Sequence, residues 1–182
     1  MKPYLKPLAA LAGLIFSVST HGAELVGSSA PQFRLQDQQG EWHELDQYRG
    51  QWVALYFYPK DDTPGCTTEA CSFRDNIFAF EALNAVILGV SLDDVESHAE
   101  FAEKYSLPFS ILADTDKQAA EAYGVIMKIG PMSLAKRESF LINPEGVIVK
   151  HYAKVNPNQH TEEVLADLRT LGAGAGDAAE TG

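Results

Sequence analysis

The sequence predicts an α/β fold: a central mixed sheet with helices on both faces. Three observations predict it. Apolar strand-like runs alternate with amphipathic helical stretches along the chain. Trp52–Tyr58 (WVALYFY) is apolar and aromatic throughout rather than alternating, which suits a strand buried on both faces, and Ala85–Leu92 (AVILGVSL) reads as another buried strand. The body then closes on two short apolar runs flanking the turn-forming NPEG, the signature of an antiparallel hairpin.

In order, Gln32–Leu35 and Glu41–His43 flank DQQG and are expected to pair as a short hairpin. Trp52–Tyr58 is a buried strand. A helix is expected from Pro64 to about Leu83, because Ala70, Phe73, Ile77 and Phe80 recur at intervals of three and four. Pro64 suits its first turn, where a missing N–H costs little. After the Ala85–Leu92 strand, Asp93 or Asp94 can cap a helix whose inward face is Val95, Ala99, Ala102 and Tyr105. A short strand Phe109–Leu112 and a short helix Lys117–Tyr123, closed by Gly124, come next. Met127 to Phe140 is the least regular part of the body. Ser139–Asn143 and Val147–Tyr152 form the closing hairpin. Thr161 caps a last helix to Leu171, with Val164, Leu165, Leu168 and Leu171 inward.

Composition narrows the function classes. The 182 residues are 46% hydrophobic and 21% charged, which suits one globular domain and excludes collagen, wholesale disorder and a polytopic membrane protein. The formal charge of −11 speaks against nucleic acid as a partner, because phosphate binding needs a basic face. Residues 1–23 are expected to be a signal peptide, with Lys2 and Lys6, an uncharged run from Leu8 to Val18, and small and polar residues ending at Gly22 and Ala23. The run is too short to span a membrane, which takes about 20 residues. Its removal would take two lysines from 14 basic residues set against 25 acidic ones, moving the charge to −13. The expected mature domain is 24–171, followed by a Gly/Ala-rich disordered tail, 172–182.

Two cysteines, Cys66 and Cys71, are too few for a zinc-finger set or a disulfide-dense scaffold. Cys66 falls at a helix start, where free N–H groups and a partial positive charge stabilise a thiolate over a thiol. Thr63, three residues earlier, can place a hydroxyl beside that sulfur. Across five residues of intact helix the two Cα atoms would stand roughly 8 to 9 Å apart, beyond the roughly 7 Å a disulfide tolerates. Either the helix start is distorted or it unwinds on oxidation. An inert structural disulfide is the plainer alternative for an exported pair. A Cys-x2-Cys oxidoreductase or a copper site would want other spacings. The four histidines beyond the signal segment are read as surface or packing residues, the acidic pairs as caps and turns, and Arg74 with Asp75 as a structural pair.

The pattern Pro59-x3-Thr63-x2-Cys66, within DTPGCTTEACSFRD, resembles the active-site motif of peroxiredoxins, and the second cysteine five residues on is similar to the Q-type, or bacterioferritin comigratory, group. GSSAPQFRLQDQQG, VSLDD and RESFLINPEGVI extend the resemblance over about residues 25–171. It implies a thioredoxin-like fold and thiol-dependent reduction of hydroperoxides. Cys66 would be the peroxidatic cysteine, Pro59 its shield, Thr63 a hydrogen-bond partner of the peroxide, and Arg137 the cation beside the thiolate. Cys71 would resolve the sulfenic acid as an intramolecular disulfide, and a thioredoxin-like dithiol would reduce it. The implied cycle calls for no bound metal or organic cofactor. A monomer exported to the bacterial periplasm, with no membrane contact once the signal is cleaved, completes the expectation.

Overall fold

Residues 24–172 are described by the computed structural model. The expected signal segment and the expected tail beyond Gly172 lie outside the described residues. In chain order the elements are β1 (Arg34–Gln36), β2 (Trp42–Glu44), a 3-10 turn (Leu45–Tyr48), β3 (Trp52–Phe57), α1 (Pro64–Asp75), α2 (Ile77–Glu81), β4 (Ala85–Ser91) and α3 (Val95–Tyr105). Then follow β5 (Ser110–Ala113), α4 (Gln118–Ala122), β6 (Ile126–Ile129), β7 (Met132–Ala135), β8 (Glu138–Ile142), β9 (Ile148–Tyr152) and α5 (His160–Thr170).

Seven strands form one sheet in the order β2-β1-β5-β4-β3-β8-β9. β3 pairs with β4, and β4 with β5, in parallel. The remaining pairs are antiparallel. β3 therefore lies inside the sheet, and alternate side chains along it feed two cores. Ala54, Tyr56 and Tyr58 pack with Phe73 of α1, Phe80 of α2, Phe101 of α3 and Leu165 and Leu168 of α5. Val53, Leu55 and Phe57 pack with Leu45, Ala119 and Ala120 of α4, Tyr123 and Phe140. Burying each large side chain of this kind contributes about 1.5 to 3 kcal/mol. That demand from both faces explains why β3 carries no polar residue, and helices on both faces is the arrangement expected from sequence.

Several elements depart from expectation. The expected Pro64–Leu83 helix is two helices, broken at Asn76 (φ −111°, ψ 11°), although Ala70, Phe73 and Phe80 are buried as their spacing required. The buried face of α3 is His98, Phe101 and Ala102, rotated from the expected one, with a histidine inward. Asp94 is its cap, accepting from the Ser97 N–H at 2.9 Å. The segment expected to be least regular contains a hairpin, β6–β7, turning at Gly130 (φ +60°). Its strands are half-buried or exposed except at Ala135, so no buried stripe marked them. α5 starts at His160 with Gln159 as cap; Thr161 lies within the first turn and is buried, and Leu171 stands exposed past the end. The other strands begin or end a residue or two from where sequence put them, the usual uncertainty at element ends.

Candidate active site

The site forms where β3 ends. The chain leaves Phe57, passes half-buried Pro59, turns at Asp62 in the left-handed region (φ +54°), and enters α1 at Pro64. Thr63 occupies the cap position with extended backbone but makes no side-chain cap bond. Its hydroxyl donates instead to the Lys60 carbonyl at 2.9 Å. A hydroxyl has one hydrogen, so Thr63 meets any further partner as an acceptor. Cys66 is the third residue of α1, in the turn whose N–H groups precede the helical ladder, and is 1% exposed.

Arg137 is 71 residues away in sequence, yet its Nη2 donates to Cys66 Sγ at 3.1 Å. Strand register brings them together. β8 pairs with β3 up to Phe57↔Glu138, so the residue before Glu138 sits at the end of the sheet where the β3–α1 loop departs. Gly65 makes the approach possible. A Cβ there would lie 3.2 Å from Arg137 Nη2 and 3.7 Å from Pro157 Cγ.

The guanidinium has a second partner. Its Nη1 donates to Glu69 Oε2, one helical turn beyond Cys66. Glu69 is fully buried, and its other oxygen has no hydrogen-bond partner among the described residues. Burial pushes its carboxyl up to about 7, against the pull of Arg137 in the other direction. Burial also works against the charge on Arg137, but Glu69 and Cys66 beside it win, and its pKa lies above the ordinary value. Behind the pair, His160 places Nε2 2.9 Å from Ser139 Oγ. Burial, then the charge of Arg137, press the imidazole down to about 4, so it is neutral at pH 7. Tyr56 lies beneath, its ring centroid 4.9 Å from that of Phe73 with the planes tilted by 31°, and its phenol is pushed well up by burial and then by Glu69 and Cys66.

Cys71 sits half-buried on the same unbroken helix, and both thiols are free. Arg74, one turn further, pairs with Asp75 at 2.8 Å and donates to the Tyr105 carbonyl at 2.7 Å, which ties α1 to the end of α3.

The structure thus brings Cys66 and Arg137 into contact, sets Thr63 and Pro59 in the loop leading to them, and puts Cys71 on the same helix. Sequence reasoning missed Glu69, Tyr56 and His160. Glu69 did leave a signal. Cys66, Glu69, Ala70 and Phe73 follow i, i+3, i+4, i+7, so a carboxylate stands in the stripe that α1 buries.

Comparison with known proteins decides the family. The pattern of the AhpC/TSA family, the peroxiredoxins, matches residues 26–151. The chain belongs to this family. Peroxiredoxin Bcp of Bacillus subtilis is 43% identical over 150 residues, covering 80% of this chain and 96% of that one. The solved peroxidoxin BcpB of Mycobacterium tuberculosis superposes with a TM-score of 0.75 at 32% identity, over 80% of this chain and 97% of that one. A bacterioferritin comigratory protein of Xanthomonas campestris, solved in connection with its alkyl peroxide reduction activity, gives 0.73 at 36% identity, over 76% and 91%. This peroxiredoxin is of the Bcp/Q type, has the thioredoxin-like fold of those relatives, and is a thiol-dependent peroxidase.

Proposed function

We propose that this peroxiredoxin reduces hydrogen peroxide and organic hydroperoxides through Cys66, resolves the product as an intramolecular disulfide with Cys71, and is regenerated by a thioredoxin-like dithiol. The observation that carries the reading is the 3.1 Å bond from Arg137 to a buried sulfur at a helix start. A cation and helical N–H groups there meet the charge that develops as the O–O bond breaks.

In the first step the Cys66 thiolate attacks the terminal peroxide oxygen. The S–O bond forms, the O–O bond breaks, and the departing oxygen takes a proton to leave as water or an alcohol. Thr63, its own hydrogen given to Lys60, accepts a hydrogen bond from the peroxide O–H. Pro59 shields the sulfur from water. In the second step the Cys71 sulfur attacks the sulfenic acid, the S–S bond forms, and water leaves. The helix must open for this, since α1 runs unbroken across both residues. A dithiol donor then returns two electrons by thiol–disulfide exchange. The alkyl peroxide chemistry of the Xanthomonas relative supports organic hydroperoxides as substrates. The basic, apolar and small-residue order of residues 1–23 supports export to the periplasm. Both cysteines lying on one helix support a cycle that a monomer completes alone.

Stoichiometric hydrogen peroxide added to the reduced protein tests the reading. Two thiols should vanish and the mass should fall by about two hydrogens. Cys66→Ser should be inert, and Cys71→Ser should react once and stop as the sulfenic acid. Equal inertness of both variants would overturn the assignment of roles.

A further inference from the structure

The loop that carries Pro59 and Thr63 is held from behind by a buried polar cluster. Asp61, 7% exposed, accepts three hydrogen bonds. The Tyr58 hydroxyl donates to Oδ1 at 2.6 Å, and the Ser97 hydroxyl donates to Oδ2 at 2.7 Å. His98 Nδ1 stands 2.8 Å from the same Oδ2. The backbone N–H of Asp61 donates to Asp93 Oδ2 at 2.9 Å, and that oxygen also takes the Ser91 hydroxyl at 2.8 Å. The next residue, Asp62, is left-handed and bound by Lys104 Nζ and the Tyr105 hydroxyl, each at 2.6 Å. Ser97, His98, Lys104 and Tyr105 all belong to α3. One helix thus grips the loop at two successive residues.

His98 is fully buried, and its Nε2 has no hydrogen-bond partner among the described residues. Its polar contact is with Asp61. A leucine or phenylalanine would fill that space without burying two ring nitrogens, so packing alone does not account for a histidine there. Thr63 takes its position from the same loop, because its hydroxyl is tied to the carbonyl of Lys60, the residue before Asp61.

We infer that Asp61, with Ser97 and His98 of α3 behind it, is a positioning residue for the peroxide. The carboxylate fixes the height of the Pro59–Thr63 loop over Cys66, and so fixes where the Thr63 oxygen meets the O–H of the incoming peroxide. The cluster acts through Thr63 and leaves the sulfur's own partner, Arg137, untouched. A displacement of about 1 Å in such a group costs on the order of 100-fold in rate. The inference rests on Thr63 being the peroxide's partner.

Two rates measured on the same reduced protein separate this from a structural role: oxidation of Cys66 by hydrogen peroxide, and alkylation of Cys66 by iodoacetamide, each in a Cys71→Ser background. His98→Leu should slow oxidation by about 10- to 100-fold and leave alkylation within about twofold. His98→Gln, which restores a donor to Asp61, should recover most of the loss. Ser97→Ala removes one of three bonds at a half-buried site; it keeps the test open if His98→Leu fails to fold, and should show a smaller fall confined to oxidation. Proportional loss of both rates, or loss of neither, overturns the inference. Thr63→Val is the control on the premise. If it leaves oxidation unchanged, the reading of Thr63 fails; if it slows oxidation while the Ser97 and His98 variants do not, only the role of the Asp61 cluster fails.

Discussion

Arg137 is one cation shared between two acidic groups, the Cys66 sulfur and the Glu69 carboxyl, and the site's chemistry depends on how that sharing is held. The nearest constraint on its position is the empty space at Gly65, where an added methyl would press on Nη2 at 3.2 Å. The guanidinium is the far end of a long side chain and can move away, so Gly65→Ala displaces the cation rather than the backbone. Alanine is also favoured over glycine in a helix by up to about 1 kcal/mol. Thermal unfolding of Gly65→Ala should therefore show stability equal to or above wild type, while stopped-flow oxidation of Cys66 by peroxide slows about tenfold or more. A fall in stability with unchanged rate would mean that Gly65 serves the fold and not the cation.

At the scale of elements, α1 has two duties that oppose each other. Intact, it presents Cys66 at its start and buries Ala70 and Phe73. For the proposed second step it must open between Cys66 and Cys71. Its far end is held by Arg74 on the Tyr105 carbonyl and its near end by the loop gripped by α3, so opening falls on the turns between and takes Glu69 and Ala70 out of their buried places. Thr68 lies in that stretch, exposed, with its hydroxyl bonded back to the Pro64 carbonyl at 2.9 Å. Such back-bonding and the β-branch both weaken a helix. Thr68→Ala should stabilise the wound state by roughly 0.6 kcal/mol, slowing disulfide formation about threefold while the oxidation step keeps its rate. Rapid-quench measurement of the sulfenic acid lifetime checks this, and an unchanged lifetime would argue that winding does not limit resolution.

At the scale of the whole molecule, the buried site makes stability depend on pH in two opposing ways. The Glu69 carboxyl is pushed up to about 7 from an ordinary 4.5. The folded chain holds that proton more tightly than the unfolded one, so the stability it contributes is full below 4.5 and is lost as pH rises through about 7. His160 is pressed down from 6.5 to about 4, so its contribution is full above 6.5 and is lost as pH falls through about 4. Where those windows overlap, from pH 4.5 to 6.5, the two slopes offset each other in the wild type. Glu69→Gln removes one of them. Urea unfolding should show the variant gaining on wild type between pH 4.5 and about pH 7; a constant or shrinking difference across that range would mean that Glu69 does not carry the raised value.

Local physics is what a sequence expresses directly, and the parts of this peroxiredoxin governed by it were legible there. Two largely apolar runs named the central strands, because burial on both faces leaves a strand few polar positions. The helix start at Pro64 put Cys66 among free N–H groups, since that depends on three neighbouring residues. The resemblance to peroxiredoxins named Arg137, which no local pattern could have placed at the sulfur. The break at Asn76, the inward turn of His98 and the carboxylate of Glu69 beside Arg137 were decided elsewhere in the chain. Each depends on which distant element covers a given face: β8 pairing with β3 delivers Arg137, and α3 packing over the β3–α1 loop gives His98 its partner. Residue spacing determined where a nucleophile could stand; strand register and helix packing decided which charges would surround it, because those forces act across space between residues that the sequence keeps far apart.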